Sequence, residues 1–194
     1  MANLFQKLEI QAFRAGITPR TAESREWFRK KAQALRRINR ETLMKDDALR
    51  LTKENLPGSM VMYFYDPKHK ETLPYYDKFP LVFIVGSAKG GFHGLNLHYL
   101  PPILRAKLLG KLIDLKNNNA YNESTRLKLS YELISKSSQY KEFAPCFKHY
   151  LTAHVKSRFA MVPAAEWEIA TFLPMAQWEK SSSNQVYKQS RKMI

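Results

Sequence analysis

Cysteine is almost missing from this chain: Cys146 is the single one among 194 residues. A lone thiol closes no internal disulfide, so the fold must rest on its core, and a reducing compartment is expected. There is no Cys-x-x-Cys and no pair of histidines four apart. That removes the common structural zinc frameworks and the zinc-protease helix. Glycine is scarce, with seven residues, and none stands in a Gly-Lys-Ser/Thr context. Gly90-Gly91-x-x-Gly94 therefore reads as a hairpin turn rather than a phosphate loop. No apolar run approaches the roughly 20 residues that span a bilayer. The first residues lack the apolar centre and basic flank of a signal peptide. The expectation is a soluble protein made in a cytoplasm, with no membrane partner.

Acidic residues are also in short supply. There are 17 Asp+Glu against 32 Lys+Arg, a formal net charge of +15 and a pI near 9.9. Such an excess costs self-repulsion in the compact state and favours polyanionic partners. Solubility alone is better served by acids. The excess lies in two blocks, +6 over residues 1–54 and +7 over 102–161, on either side of a nearly neutral middle. Hydrophobic residues make up 44% and aromatics 12%, which excludes global disorder and suffices for a packed core.

The first block reads as helix. Leu4, Phe5, Leu8 and Ala12 recur at helical spacing until Gly16. Thr18-Pro19 is a helix start, and from Thr21 to Leu51 there is neither Gly nor Pro. The predicted result is a long basic arm over 1–54, with a thin apolar stripe of Phe28, Ala32, Leu35 and Ile38. An arm of that kind either docks on something or projects. Residues 55–194 form the compact part. Met60–Tyr65, Leu81–Val85 (apolar throughout, hence buried on both faces) and Phe92–Leu97 read as strands, with Pro74–Asp77 as a loop. Helices are expected over Ile103–Leu115, Glu123–Ser138 and Pro145–His154. Phe159–Val162 is a further strand. Short helices follow, from Pro163 to Phe172 and from Ser183 to Met193. The class is α+β: a small SH3-like antiparallel β-barrel, with strands about 59–97 and 158–162. Helices at about 103–155 and 164–193 decorate it.

Candidate chemistry is sparse. His149 and His154 would sit about 140° apart on a helix, so they share no face for a metal. Asp66, His69 and Asp77 could form a divalent-ion nuclease site, but an aspartate in such loops more often caps backbone amides. Cys146 has Lys148 and His149 as neighbours, yet no acyl-transfer partner is evident, and an inert buried thiol is the stronger reading. No catalytic residue, metal or cofactor is assigned, and no small-molecule substrate. The main signal is the basic run Arg25, Arg29, Lys30, Lys31, Arg36, Arg37 and Arg40, able to contact the phosphate backbone of double-stranded DNA without reading bases. Its bland counterpart is a solvated helix face, since Glu23, Glu26 and Glu41 offset part of the charge. Tyr75 and Tyr76 are suited to stack bases, or equally to pack at a barrel edge.

A longer pattern is recognisable. The run PGSMVMYFYDPKHKETLPYYDKFPLVFIV (57–85) is followed by GFHGLNLHYLPP (91–102), LKLSYELI, FAPCFKHYL, EWEIATFLP and the closing SRKMI. Together they resemble the DNA end protector family of T-even-like tailed phages. The resemblance covers roughly residues 57–194. It implies a late virion protein on the end of packaged duplex DNA that shields that end from host exonuclease and has no catalytic site. It also implies that Tyr63, Tyr75, Tyr76, Asp77, Pro80, Asn96, His98 and Tyr99 belong to the barrel. A second reading stays open. The chain would then be a connector of the phage neck, tail or baseplate that contacts other virion proteins through its amphipathic start, Leu4 to Phe13.

Overall fold

The computed structural model describes residues 4–19, 21–35, 38–45, 50–53, 57–117 and 144–193. The expected helix over 123–138 lies outside them. Helix α1 (Leu4–Arg14) buries Phe5, Leu8 and Ala12, the face its spacing dictates. It ends where Gly16 takes φ +70°. Gly16 N–H donates to Phe13 O and Ile17 N–H to Ala12 O, both at 3.0 Å. This left-handed cap is open to glycine at least strain. Helix α2 (Ala22–Ala34) starts at Thr21, three residues later than Thr18-Pro19 suggests. Thr21 and Ser24 each accept the other's backbone N–H at 3.1 Å.

The uninterrupted helix expected from Thr21 to Leu51 does not form. Leu35 is extended, and Asn39 caps a short third helix, α3 (Arg40–Met44), by accepting from Thr42 N–H at 3.0 Å. The break is a packing solution. It brings Leu35, Ile38, Leu43 and Met44 against the same core as Phe5 and Phe28. A straight helix with one thin stripe would leave part of that set in water. The N-terminal helices are therefore docked. Fully burying a side chain such as Phe5 (0% exposed) contributes roughly 1.5–3 kcal/mol.

A six-stranded antiparallel sheet forms the centre. Its strands are β1 (Arg50–Thr52), β2 (Met60–Met62), β4 (Leu81–Ala88), β5 (Gly91–Asn96), β6 (Phe147–Leu151) and β7 (Phe159–Val162), in the order β1-β7-β2-β4-β5-β6. The two-residue strands β3 (Tyr76–Asp77) and β8 (Trp178–Glu179) pair separately. The class is α+β, as expected, but among the described residues the sheet is open and the expected SH3-like barrel does not close. The regular ladder of β2 stops at Met62. Beyond it, an isolated antiparallel bridge joins Tyr65 to Val155. The helix expected over Pro145–His154 is instead a 3-10 turn (Ala144–Cys146), strand β6 and a second 3-10 turn (Thr152–His154). At Gly91 an added Cβ would lie 1.8 Å from Tyr150 O, so only glycine lets β5 run this close to β6.

Strand β4 is buried on both faces. Leu81, Phe83 and Val85 join the main core with α1 and α2, while Val82 and Ile84 join a second, aromatic cluster of Tyr63, Tyr65, Phe92, Tyr150 and Phe159. Helix α4 (Pro102–Asn117) starts at the second of two adjacent prolines. Helix α5 (Trp167–Phe172) contacts both α2 and α4. The last helix, α6 (Ser183–Lys192), is capped by Ser182 with Gln185 reciprocating. None of the described helices is long and apolar enough to cross a membrane.

Candidate nucleic-acid interface

The seven basic residues singled out in the sequence do not form one surface. Arg36 and Arg37 lie outside the described residues. Arg25 turns back toward α5, with Nε 3.7 Å from Glu168 Oε1. Glu168 in turn accepts from Ser24 Oγ at 2.8 Å in a buried contact. Arg40 also points inward, donating from Nε to Met175 O at 2.7 Å and from Nη2 to Ala176 O at 2.8 Å. Arg29, half-buried, and Lys30 and Lys31, exposed, follow one another on α2 and spread over about 200° of its circumference. Arg29 grips Glu26 through two bonds of 2.8 and 2.6 Å, and Lys30 is 3.7 Å from the same carboxylate. The Arg29 hydrogen bond holds the Glu26 carboxyl below its ordinary range. Lys31 lies over the Trp27 ring at 5.2 Å.

A second assembly surrounds β3. Asp77 is buried, and each oxygen is engaged. Oδ1 accepts from Phe79 N–H at 3.0 Å and Gln177 N–H at 2.9 Å. Oδ2 faces His98 Nδ1 at 2.6 Å and Asn96 Nδ2 at 3.4 Å. Burial works against this carboxylate, yet His98 and the two amide donors hold it below the usual range. Burial pushes the His98 imidazole down, with Asp77 opposing and Arg105 and Arg40 assisting. The neutral ring thus donates from Nδ1, and its buried Nε2 has no hydrogen-bond partner among the described residues. Arg105 is also buried. It donates to the carbonyls of Leu100 (2.8 Å), Thr171 (3.2 Å) and His98 (3.2 Å), and to Tyr187 Oη at 2.5 Å. Two cations counted toward the basic composition therefore serve the interior.

Of this knot, Asp77 lines a cleft of about 250 Å³. One side is the loop of Pro67, Leu73, Pro74, Tyr75 and Tyr76. The other is β6 with Lys148 and Tyr150. The loop is pinned from outside by Lys180, itself at φ +62°. Its Nζ donates to the carbonyls of Lys70 (2.6 Å), Glu71 (2.8 Å) and Leu73 (3.4 Å). Lys148 Nζ lies 4.2 Å above the Tyr99 ring, and burial lowers its pKa. Tyr99 is packed edge-on against Trp178 at 4.8 Å.

The nuclease trio is not assembled. Asp66 is at the surface with Lys70 at 3.1 Å, while Asp77 is enclosed by its four donors. Among the described residues no three His, Cys, Asp or Glu side chains group to hold an ion. His93 and His149 face each other across β5 and β6, ring centroids 5.2 Å apart, and His154 bonds Asp66 O at 2.8 Å. Burial pushes the Cys146 thiol up to about 12.

The family model described as phage T4 terminal DNA protecting protein matches residues 5–192. The chain belongs to that family. No curated protein and no solved structure matches it. Membership in the terminal DNA protecting family extends the resemblance seen over 57–194 to the N-terminal helices. The match begins at Phe5, the first wholly buried residue of α1. Two features of this family member escaped the sequence reading. Lys148 faces the cleft only because 147–151 is a strand, and His98 meets Asp77 only through the fold. The adjacent tyrosines 75 and 76 were the one readable signal of the cleft.

Proposed function

We propose that this protein seats on the ends of double-stranded DNA in the phage particle, holds them through phosphate contacts without reading base sequence, and shields them from host exonuclease. The family match over residues 5–192 is the observation that carries this reading. The net charge of +15 supports it, as do the consecutive α2 cations Arg29, Lys30 and Lys31. Shielding an end requires occlusion rather than bond making, so the reading assigns no reacting group and no cofactor. The test is a digestion. Linear duplex is exposed to a processive double-strand exonuclease with and without the protein. Binding to linear and covalently closed circular duplex is then compared across a salt series. Protection, preference for the linear form and a steep loss with salt are expected. Equal affinity for both forms, or unimpeded digestion at saturating protein, overturns the reading.

One observation favours the connector reading. Phe13 is 85% and Ile10 45% exposed on the outer face of α1. Retention in DNA-free particles, with loss of retention in Phe13→Ser, is its signature.

A further inference from the structure

The cleft above β3 has properties that phosphate contacts along α2 do not use. At about 250 Å³ it lies just below the range of small-molecule pockets, roughly 300–1,000 Å³. It therefore suits a single planar unit. Its lining is mainly tyrosine and proline, with Tyr75 and Tyr76 only partly buried. Lys148 is the one Lys or Arg among the lining residues, and it has no carboxylate partner among the described residues. A lysine held this way is a point charge suited to a phosphate. Asp77 is the one lining carboxylate, and its oxygens are already engaged by Phe79, Gln177, His98 and Asn96. It thus presents little free acceptor to a ligand. The Lys180 clamp holds the loop in place before anything binds.

We propose that this cleft takes the terminal nucleotide of the bound duplex, its base stacked on Tyr75 and Tyr76 and its phosphate facing Lys148. This rests on the end-binding reading and deepens it. Aromatic stacking accepts any base, because each has a π-face, and so it needs no sequence. It also distinguishes an end from the duplex interior. A terminal base has one stacking neighbour and frays, whereas an interior base must leave two stacks and flip out. The cleft thereby supplies end preference, which surface cations alone do not.

The test uses the full chain and linear duplexes carrying 2-aminopurine, either at the terminal nucleotide or ten base pairs inside. The native protein should change the emission of the terminal probe and leave the internal one unaltered. Tyr76→Ala and, separately, Lys148→Gln should each weaken binding to linear duplex about tenfold. Binding to closed circular duplex, measured on the same preparations, should not change, which also shows that the variants are folded. Suppose the native protein prefers linear DNA, yet the terminal probe is silent and both variants keep the preference. The cleft assignment is then wrong and end binding stands. Suppose the native protein shows no preference for ends. Both then fall. Equal losses on linear and circular DNA would reduce Lys148 and Tyr76 to general contacts and also overturn the assignment.

Discussion

Replacing Asp77 by alanine tests the buried knot most directly. The side chain is 1% exposed. Its removal strips the acceptor from the Phe79 and Gln177 amides and from His98 Nδ1. Each buried donor left unsatisfied costs about 1–3 kcal/mol. The side chain also borders the cleft, so water can enter and recover part of that. With three such donors stranded and water recovering part, a net loss of about 3–5 kcal/mol is expected. For a chain of this size that lowers the melting midpoint by on the order of 10 °C. Asp77→Asn keeps an oxygen for the two amides but forces His98 to the other tautomer. That places an N–H where Nε2 has no partner, and a loss of about 1–2 kcal/mol should follow. Urea and thermal unfolding, followed by tryptophan fluorescence and circular dichroism, read both. A loss under about 1 kcal/mol for alanine, or equal losses for the two variants, would refute the reasoning.

Three further outcomes are expected. His98 is held below its ordinary value, near 6.5 in free peptides. Below that pH the unfolded chain takes up a proton the folded one refuses. Stability should therefore fall as pH drops from 7 toward 5, by up to about 1.4 kcal/mol per unit. His98→Asn should flatten this segment of the urea-midpoint profile. Asp77 is also depressed, and its contribution is lost only at lower pH, below about 3.9. In DNA binding, Arg29→Gln, Lys30→Gln and Lys31→Gln should each reduce the log–log salt slope by about 0.9 per lost phosphate contact. Arg40→Gln, whose guanidinium serves the carbonyls of 175 and 176, should leave the slope unchanged and lower the unfolding midpoint. Cys146, wholly buried with its pKa near 12, should react with Ellman's reagent at pH 8 only after denaturant is added. Rapid reaction of the native protein contradicts its placement.

The sequence made legible what neighbours in the chain decide. Gly16 marked the end of α1. The run Leu81–Val85 announced a strand buried on both faces, and the glycines after it a hairpin. Aspartate at 77 was expected to cap backbone amides, and it does so with Phe79. What distant partners decide was not legible. Residues 147–151 are an edge strand because β5 pairs with them from about fifty positions earlier. Nothing in their composition outweighs a helical reading. The break after Ala34 contains neither Gly nor Pro. It goes with the packing of Leu35, Ile38, Leu43 and Met44 on the core and with Arg40 reaching carbonyls at 175 and 176, which only the folded chain brings near. Tyr76 and Asp77 form a strand because Trp178 and Glu179 arrive a hundred residues later. For the site, counting cations overstated the α2 surface. Charge is visible in a sequence, but its direction is not.

Strand β7 is seated between β1 and β2: Arg50 pairs with Met161 on one side, and Met60 with Val162 on the other. A ribosome adds roughly 5–20 residues per second. The slot between the two earlier strands therefore waits on the order of 5–20 s for its filling. Until residue 159 has emerged, β1 has no strand beside it, and β2 presents a bare edge of the kind that recruits other chains. Completion of this sheet is thus a late event of synthesis. A chain cut short before β7 would carry the strands but not the order that joins them.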